Sequence, residues 1–147
     1  MKKLIGSIVL IMVLMSFQPI LKSKAKKTTV PIATAKASIE RGKTVYLQRC
    51  LACHQADGGG VPHLNAPLDK ATAVVGKDKA KIIRIVLQGL TDRAEIDGET
   101  YDNNMAPNSD LKDQQIADVL TYIRNSWSNK ASAVTAAEVK MVRGKTK

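Results

Sequence analysis

Large side chains are scarce in this sequence. Only 3% of its 147 residues are aromatic: three tyrosines, one tryptophan and one phenylalanine. The length is that of about one domain, and such a core needs something other than aromatic rings to fill it. Cysteine is scarce too. Two cysteines exclude a disulfide-stapled scaffold, which needs many more. A single long apolar run, at the very start, excludes a polytopic membrane protein. Acidic residues are outnumbered 13 to 23 by lysine and arginine, for a formal net charge of +10. With 44% hydrophobic residues, disorder throughout is excluded.

The apolar run reads as an address. Met1-Lys2-Lys3 is a basic start, Leu4 to Phe17 is almost wholly apolar, and Gln18-Pro19 breaks the run. Ser23-Lys24-Ala25 then places small residues where a signal peptidase reads them. Residues 1–25 are expected to be a secretory signal peptide, with the chain periplasmic or otherwise exported after cleavage. The alternative is an uncleaved N-terminal membrane anchor, but the run is short for a bilayer span of about 20 residues. No cysteine follows it, which excludes a bacterial lipoprotein signal. Without Lys2, Lys3, Lys22 and Lys24 the mature chain has 19 basic and 13 acidic residues, net +6. Its aromatics are Tyr46, Tyr101, Tyr122 and Trp127.

The mature chain divides into a flexible leader (26–37), a main domain (38–129) and a basic tail with a short helix (130–147). Ser38 is placed to cap a first helix ending near Cys50. Asp57-Gly58-Gly59-Gly60 is a loop, and Pro62 and Pro67 keep Val61 to Leu68 from being a regular helix. A second helix is expected from Asp78 to Gln88, closed by Gly89. Asp97-Gly98 between short flanks predicts a two-stranded hairpin. The strongest helical pattern runs from Leu111 to Trp127. Ile116, Val119, Leu120, Ile123 and Trp127 form its apolar side, and Asp113, Asp118, Thr121, Arg124 and Asn125 lie opposite. Thr135 and Glu138 have the spacing of a capping box, predicting a last helix to about Arg143. The expected fold class is all-α, a small helical domain of roughly 95 residues.

One pentapeptide carries the chemistry. Cys50-Leu51-Ala52-Cys53-His54 is the C-x-x-C-H pattern of covalent haem c attachment. Cysteines three apart share one side of a helical turn, so both thiols reach one porphyrin, and His54 is delivered to the iron. Three other readings compete. A structural zinc site needs four ligands, and no second cysteine pair exists. A thiol-redox pair using Cys50 and Cys53 expects a βαβ context, which is lacking. A chance match would leave two inert thiols.

From Ser38 to Trp127 the chain resembles the class I mono-haem cytochromes c. Gly42 and Tyr46 match a glycine and an aromatic on that family's N-terminal helix. Val119 and Tyr122 in Asp118-Val119-Leu120-Thr121-Tyr122-Ile123-Arg124 match the C-terminal helix that crosses it. The resemblance implies a cytochrome c fold around one haem, with His54 and a loop methionine as iron ligands. Met105 in Asn104-Met105-Ala106-Pro107 fits, about 50 residues after His54. Met1, Met12 and Met15 leave with the signal, and Met141 lies in the tail. The resemblance also implies that a backbone carbonyl of the loop Pro62 to Leu68 orients His54. Ala66 stands where many relatives have proline, which leaves open which carbonyl serves. His63 is expected at the surface or haem edge.

Two strong axial ligands leave no coordination site for a substrate, so such a haem moves single electrons and the protein is no enzyme. The alternative is a five-coordinate haem enzyme or gas sensor with a labile Met105. The run Gly89-Leu90-Thr91 through Asn104-Met105 is similar to cytochrome c modules associated with periplasmic quinoprotein dehydrogenases. That likeness implies redox protein partners: a dehydrogenase as donor, an oxidase or another cytochrome as acceptor. Lys70, Lys77, Lys79, Lys81 and Arg84, with Lys43 and Arg49, form a candidate basic docking face. No nucleic acid is expected, since no aromatic and basic residues interleave. The tail lysines offer peripheral membrane association.

Overall fold

A computed structural model describes residues 32–91 and 93–146. The signal peptide and residues 26–31 of the leader lie outside them. The described residues form six helices and one hairpin: α1 (Ile32–Arg49), α2 (Leu51–His54), α3 (Thr72–Val75), α4 (Lys79–Gln88), β1 (Ala94–Ile96), β2 (Glu99–Tyr101), α5 (Asp113–Ile123) and α6 (Ala136–Lys145). The all-α expectation holds, with the hairpin as the one sheet among these residues.

Helix α1 starts at Ile32, well before Ser38. Ala33, Ala35 and Ala37 are strong helix formers and carry the helix back through residues read as leader. Ser38 is therefore no cap. It is buried, and its hydroxyl donates to the Asp118 carboxylate across the interface with α5.

That interface is the tightest in the molecule. A Cβ added at Gly42 would lie 2.0 Å from the Asp118 carbonyl oxygen and 2.8 Å from the Tyr122 Cβ. Only a glycine allows backbone to approach backbone this closely. Tyr46, one turn further along α1, is buried beside Tyr122 with ring centroids 5.3 Å apart. The crossing implied by Gly42, Tyr46, Val119 and Tyr122 is thus present.

Helix α5 is shorter than its pattern. At its start the Lys112 N–H donates to the Gln115 side chain 3.0 Å away, which caps the helix. At its end the Asn125 amide donates to the Thr121 carbonyl and the Ser126 hydroxyl to the Tyr122 carbonyl. These side chains satisfy the last carbonyls and stop the helix. Trp127 therefore lies beyond it, at φ +54°. Of the five polar residues opposite the apolar side, Asn125 is exposed and Asp113 half-buried, but the other three are buried. Asp118, Thr121 and Arg124 are 2%, 0% and 1% exposed. Each meets a distant segment: Asp118 binds Ser38, Arg41 and Gln114, Thr121 exchanges hydrogen bonds with Val134, and Arg124 donates to the carbonyls of Val74, Gly76 and Ser132.

Helix α4 begins just after Asp78, whose carboxylate accepts from the Lys81 N–H, and closes at Gly89 with φ +73°. The hairpin pairs Ala94 with Tyr101 and Ile96 with Glu99. Asp97 and Gly98 both have positive φ, as a type I′ turn requires. The one-turn helix α3 was not foreseen; four residues are too few for periodicity to register. Helix α6 begins with the expected Thr135 and Glu138 capping box. It packs on α4 and α5 through buried Val139 and Val142, so the core continues past residue 129. Its Glu138 pairs with Lys79 at 3.0 Å, which withdraws Lys79 from the proposed basic face.

Two predictions follow from the crossing. Gly42→Ala should destabilise the protein by at least about 2 kcal/mol, since the overlap is with backbone that cannot rotate away. Thermal unfolding checks this, and an unchanged midpoint refutes it. Burial acts to raise the Asp118 pKa, but hydrogen bonds from Arg41, Ser38 and Gln114 outweigh it and hold the carboxyl below its usual range. A depressed folded pKa stabilises above the unfolded value of about 3.9 and is lost as pH falls through the folded one. Asp118→Asn should therefore cost about 2 kcal/mol at pH 7 and flatten the loss of stability below about pH 4. Denaturant titrations at pH 7 and pH 3 measure both.

Candidate functional site

The end of α1 delivers the C-x-x-C-H residues. The N–H groups of Cys53 and His54 both donate to the Cys50 carbonyl, at 3.2 and 2.9 Å, which coils the pentapeptide into a tight turn. Cys50, Cys53 and His54 line one side of a cavity of about 410 Å³. Met105 lines the same cavity. Its other walls are mainly apolar, with Ile82, Ile85 and Val86 from α4, Val119, Leu120 and Ile123 from α5, and Ile96 from the hairpin, and they also carry Arg49 and the amides of Asn65, Asn103, Asn104 and Asn108. All four sequence-predicted residues thus meet in one apolar space.

His54 is oriented by its second ring nitrogen. Nδ1 lies 2.9 Å from the Ala66 carbonyl oxygen, which accepts its proton and leaves Nε2 available as a ligand. Ala66 therefore answers the question its missing proline left open. Burial lowers the His54 pKa, against the opposing pull of that carbonyl, so the ring is held neutral. A neutral imidazole is the form that ligates iron.

The loop carrying Ala66 is itself pinned. Leu68 and Asp69 N–H groups donate to the Gly58 carbonyl, and Val61 and Asn65 bridge. Three residues after α5 clasp it from outside. The Trp127 indole donates to the Ala56 carbonyl at 2.9 Å, and its ring covers Gly58 so closely that a Cβ there would sit 2.6 Å from it. Ser128 donates to Asp69. Asn129 is buried, accepts from the Lys70 N–H and donates to the Leu68 and Ile123 carbonyls.

Met105 sits on a loop tied to Leu90 by reciprocal backbone hydrogen bonds of 2.9 Å. Gly89 makes room for it, since a Cβ there would lie 2.2 Å from the Met105 carbonyl oxygen. Met141 is exposed on α6, and His63 is exposed and absent from the cavity wall.

The competing readings fit less well. Among the described residues no three His, Cys, Asp or Glu side chains converge on a metal-sized site. Cys50 and Cys53 form no disulfide. Burial pushes the Cys50 thiol up to about 11, against Arg49 and with Cys53, which is the reverse of an activated redox thiol. The two strands are a local antiparallel hairpin and supply no βαβ unit.

The sequence model of the Cytochrome c family matches residues 39–127. The chain belongs to the cytochrome c family. It is similar to cytochrome c-552 of Thermus thermophilus, 34% identical over 112 residues that cover 71% of this chain and 85% of that protein. It is also similar to the cytochrome c subunit of a quinone alcohol dehydrogenase from Gluconacetobacter polyoxogenes. That subunit is 32% identical over 144 residues, covering 88% of this chain and 29% of the subunit. The cytochrome c subunit of gluconate 2-dehydrogenase from Pantoea cypripedii is 38% identical over 109 residues, 71% of this chain and 24% of the subunit. This cytochrome c thus spans less than a third of the length of the dehydrogenase subunits it matches.

Family membership carries electron transfer and a covalently attached haem c, and one haem suits one domain. The cavity fits such a group: it is apolar, holds two thiols on one turn, and has a neutral histidine and a thioether in its wall. Among the described residues no helix is long and apolar enough to cross a membrane.

Sequence reading did not find Asn129 as part of this site. Two of its three partners, Leu68 and Lys70, lie about 60 residues back along the chain, and nothing local marks it. Asn129→Ala strands the Lys70 N–H and two carbonyls together, and should cost about 2 to 3 kcal/mol. Equilibrium denaturation measures the loss, and a change below about 0.5 kcal/mol would show the clasp to be idle.

Proposed function

We propose that this chain carries one haem c on thioether bonds from Cys50 and Cys53, with His54 and Met105 as the residues that would hold its iron, and works as a one-electron carrier. The observation that carries the reading is the meeting of these four side chains in one apolar cavity, with His54 Nδ1 already engaged by Ala66. Bound haem c supplies a one-electron iron couple. The chain's own residues do the rest. Cys50 and Cys53 tether. His54 ligates as a neutral ring of fixed tautomer. Met105 would supply a thioether sulfur to the iron from the same cavity wall, and the largely apolar lining would limit water. A thioether ligand favours the ferrous state, so the potential is fairly high. With His54 and Met105 both holding the iron, no site would remain for a substrate, and the protein would act as a carrier and not an enzyme.

The chain acts outside the cytoplasm, as its N-terminal signal pattern supports, and hands electrons between redox proteins. A quinoprotein dehydrogenase is the proposed donor, supported by likeness to cytochrome subunits of quinone alcohol and gluconate dehydrogenases. An oxidase or another cytochrome is the proposed acceptor.

Denaturing mass spectrometry of the exported protein should find one covalent haem on a chain lacking residues 1–25. A mass without haem would sink the proposal. The ferric protein should show the methionine-to-iron absorption band and bind carbon monoxide slowly when reduced. Met105→Ala should abolish the band and speed carbon monoxide binding by at least about tenfold, while leaving the haem attached. Rapid binding by the unaltered protein would instead favour the five-coordinate reading.

A further inference from the structure

Helix α6 lies outside the segment that matches the family, yet it reaches the loop presenting Met105. Its hydrogen bonds there come from a single side chain. The Arg143 guanidinium donates from Nε to the Asp113 carboxylate at 2.7 Å, and from its two terminal nitrogens to the Ser109 carbonyl at 2.8 Å and the Leu111 carbonyl at 2.6 Å. These three acceptors span the passage from the Met105-Ala106-Pro107 loop into α5. Leu111 is buried and lines the same cavity as Met105.

We propose that Arg143 is a positioning residue for Met105, and that α6 is the support from which it straps the methionine loop against the cavity. The proposal rests on the reading of Met105 as an iron ligand.

The loop needs such a strap. It has no regular secondary structure between Met105 and Asp113. Its own tethers lie mostly at its start: the reciprocal Met105 and Leu90 backbone bonds, Asn108 N–H to the Val86 carbonyl and the Asn108 amide to the Ala106 carbonyl, with only Leu111 N–H to the Asn108 carbonyl and an exposed pair between Arg49 and Asp110 further along. Ordering each free residue costs conformational entropy, and a thioether sulfur offers only a weak lone-pair interaction to set against that. A planar guanidinium can hold three acceptors in fixed relative positions, which a lysine ammonium on a flexible stem cannot. The support is rigid for separate reasons. Val139 and Val142 are buried, and Glu138 is held by Lys79 and by its own capping box. Helix α6 can therefore stay docked when Arg143 is changed.

The test compares Arg143→Gln and Arg143→Lys with Glu138→Gln in the haem-loaded, full-length protein. Glu138→Gln weakens the docking of α6 at the end away from the methionine loop. The ferric methionine-to-iron band and the far-ultraviolet helix signal are followed together on heating, and carbon monoxide association is timed on the reduced protein. Arg143→Gln should lose the band at a temperature clearly below loss of helix, and bind carbon monoxide about tenfold faster than the unaltered protein. Arg143→Lys should restore neither fully. Glu138→Gln should lose band and helix together, at a lowered midpoint. The proposal is overturned if Arg143→Gln keeps the band until unfolding with an unchanged carbon monoxide rate, or if Glu138→Gln behaves as Arg143→Gln does. Absence of the band in the unaltered protein overturns the assignment of Met105 itself, and the strap with it.

Discussion

The approach of α1 to α5 at Gly42 sets the frame on which the cavity is built. The Asp118 carbonyl lies so near Gly42 that no side chain fits between them. The Asp118 carboxylate then turns back to α1, where the Ser38 hydroxyl and the Arg41 guanidinium donate to it. One residue thus supplies both the steric contact and the polar lock. With the helices fixed there, the Cys50 end of α1 and the Val119, Leu120 and Ile123 wall of α5 have one relative position. The distance across the cavity is set before any ligand is considered.

The frame leaves two loops to be placed, and the two sides are held differently. The loop of Ala66 is held by the residues that follow α5 directly: Trp127 over Gly58, Ser128 on Asp69, and Asn129 on Lys70 and Leu68. The histidine side is therefore fixed by the same helix end that fixes the frame. The loop of Met105 is anchored at its start by Leu90 and at its finish by a helix that arrives later in the chain. Buried Arg124 joins the third wall, donating to the carbonyls beside Val74 and to Ser132. A buried cation is tolerable there because its donors meet acceptors, even without a carboxylate in contact.

What could be read from the sequence was local. C-x-x-C-H, the Asp97-Gly98 turn, Asp78 before α4, and the Thr135 and Glu138 box each complete their chemistry within a few residues, so their spacing reveals them. The cavity's donor set was legible for the same reason on the histidine side, and through family resemblance for Met105. The burial of Asp118, Thr121 and Arg124 has no local signature because their partners are remote: Ser38, Val134 and Val74. A polar residue opposite an apolar stripe looks solvated until another element covers it. Trp127 kept helical spacing by coincidence, while Asn125 and Ser126 had already ended the helix. The early start of α1 was hidden by lysines and threonines that resemble a linker, although three alanines among them favour helix.

Net charge is a poor guide to how this surface meets a partner. Of the basic residues in the candidate face, Lys79 is spent on Glu138 and Arg49 on Asp110. Arg41, Arg93 and Arg143 also hold carboxylates, and Arg124 is buried. Lys77, Lys81 and Arg84 remain exposed near α4. The cavity wall carries Asn65, Asn103, Asn104 and Asn108, all uncharged, with Arg49 the one cation among its lining residues. Charges that hold the fold together contribute little to long-range steering, because each sits beside its opposite and the pair's field falls off quickly in salt. The lining of the cavity itself offers amide groups and apolar surface, with little charge to steer anything toward it.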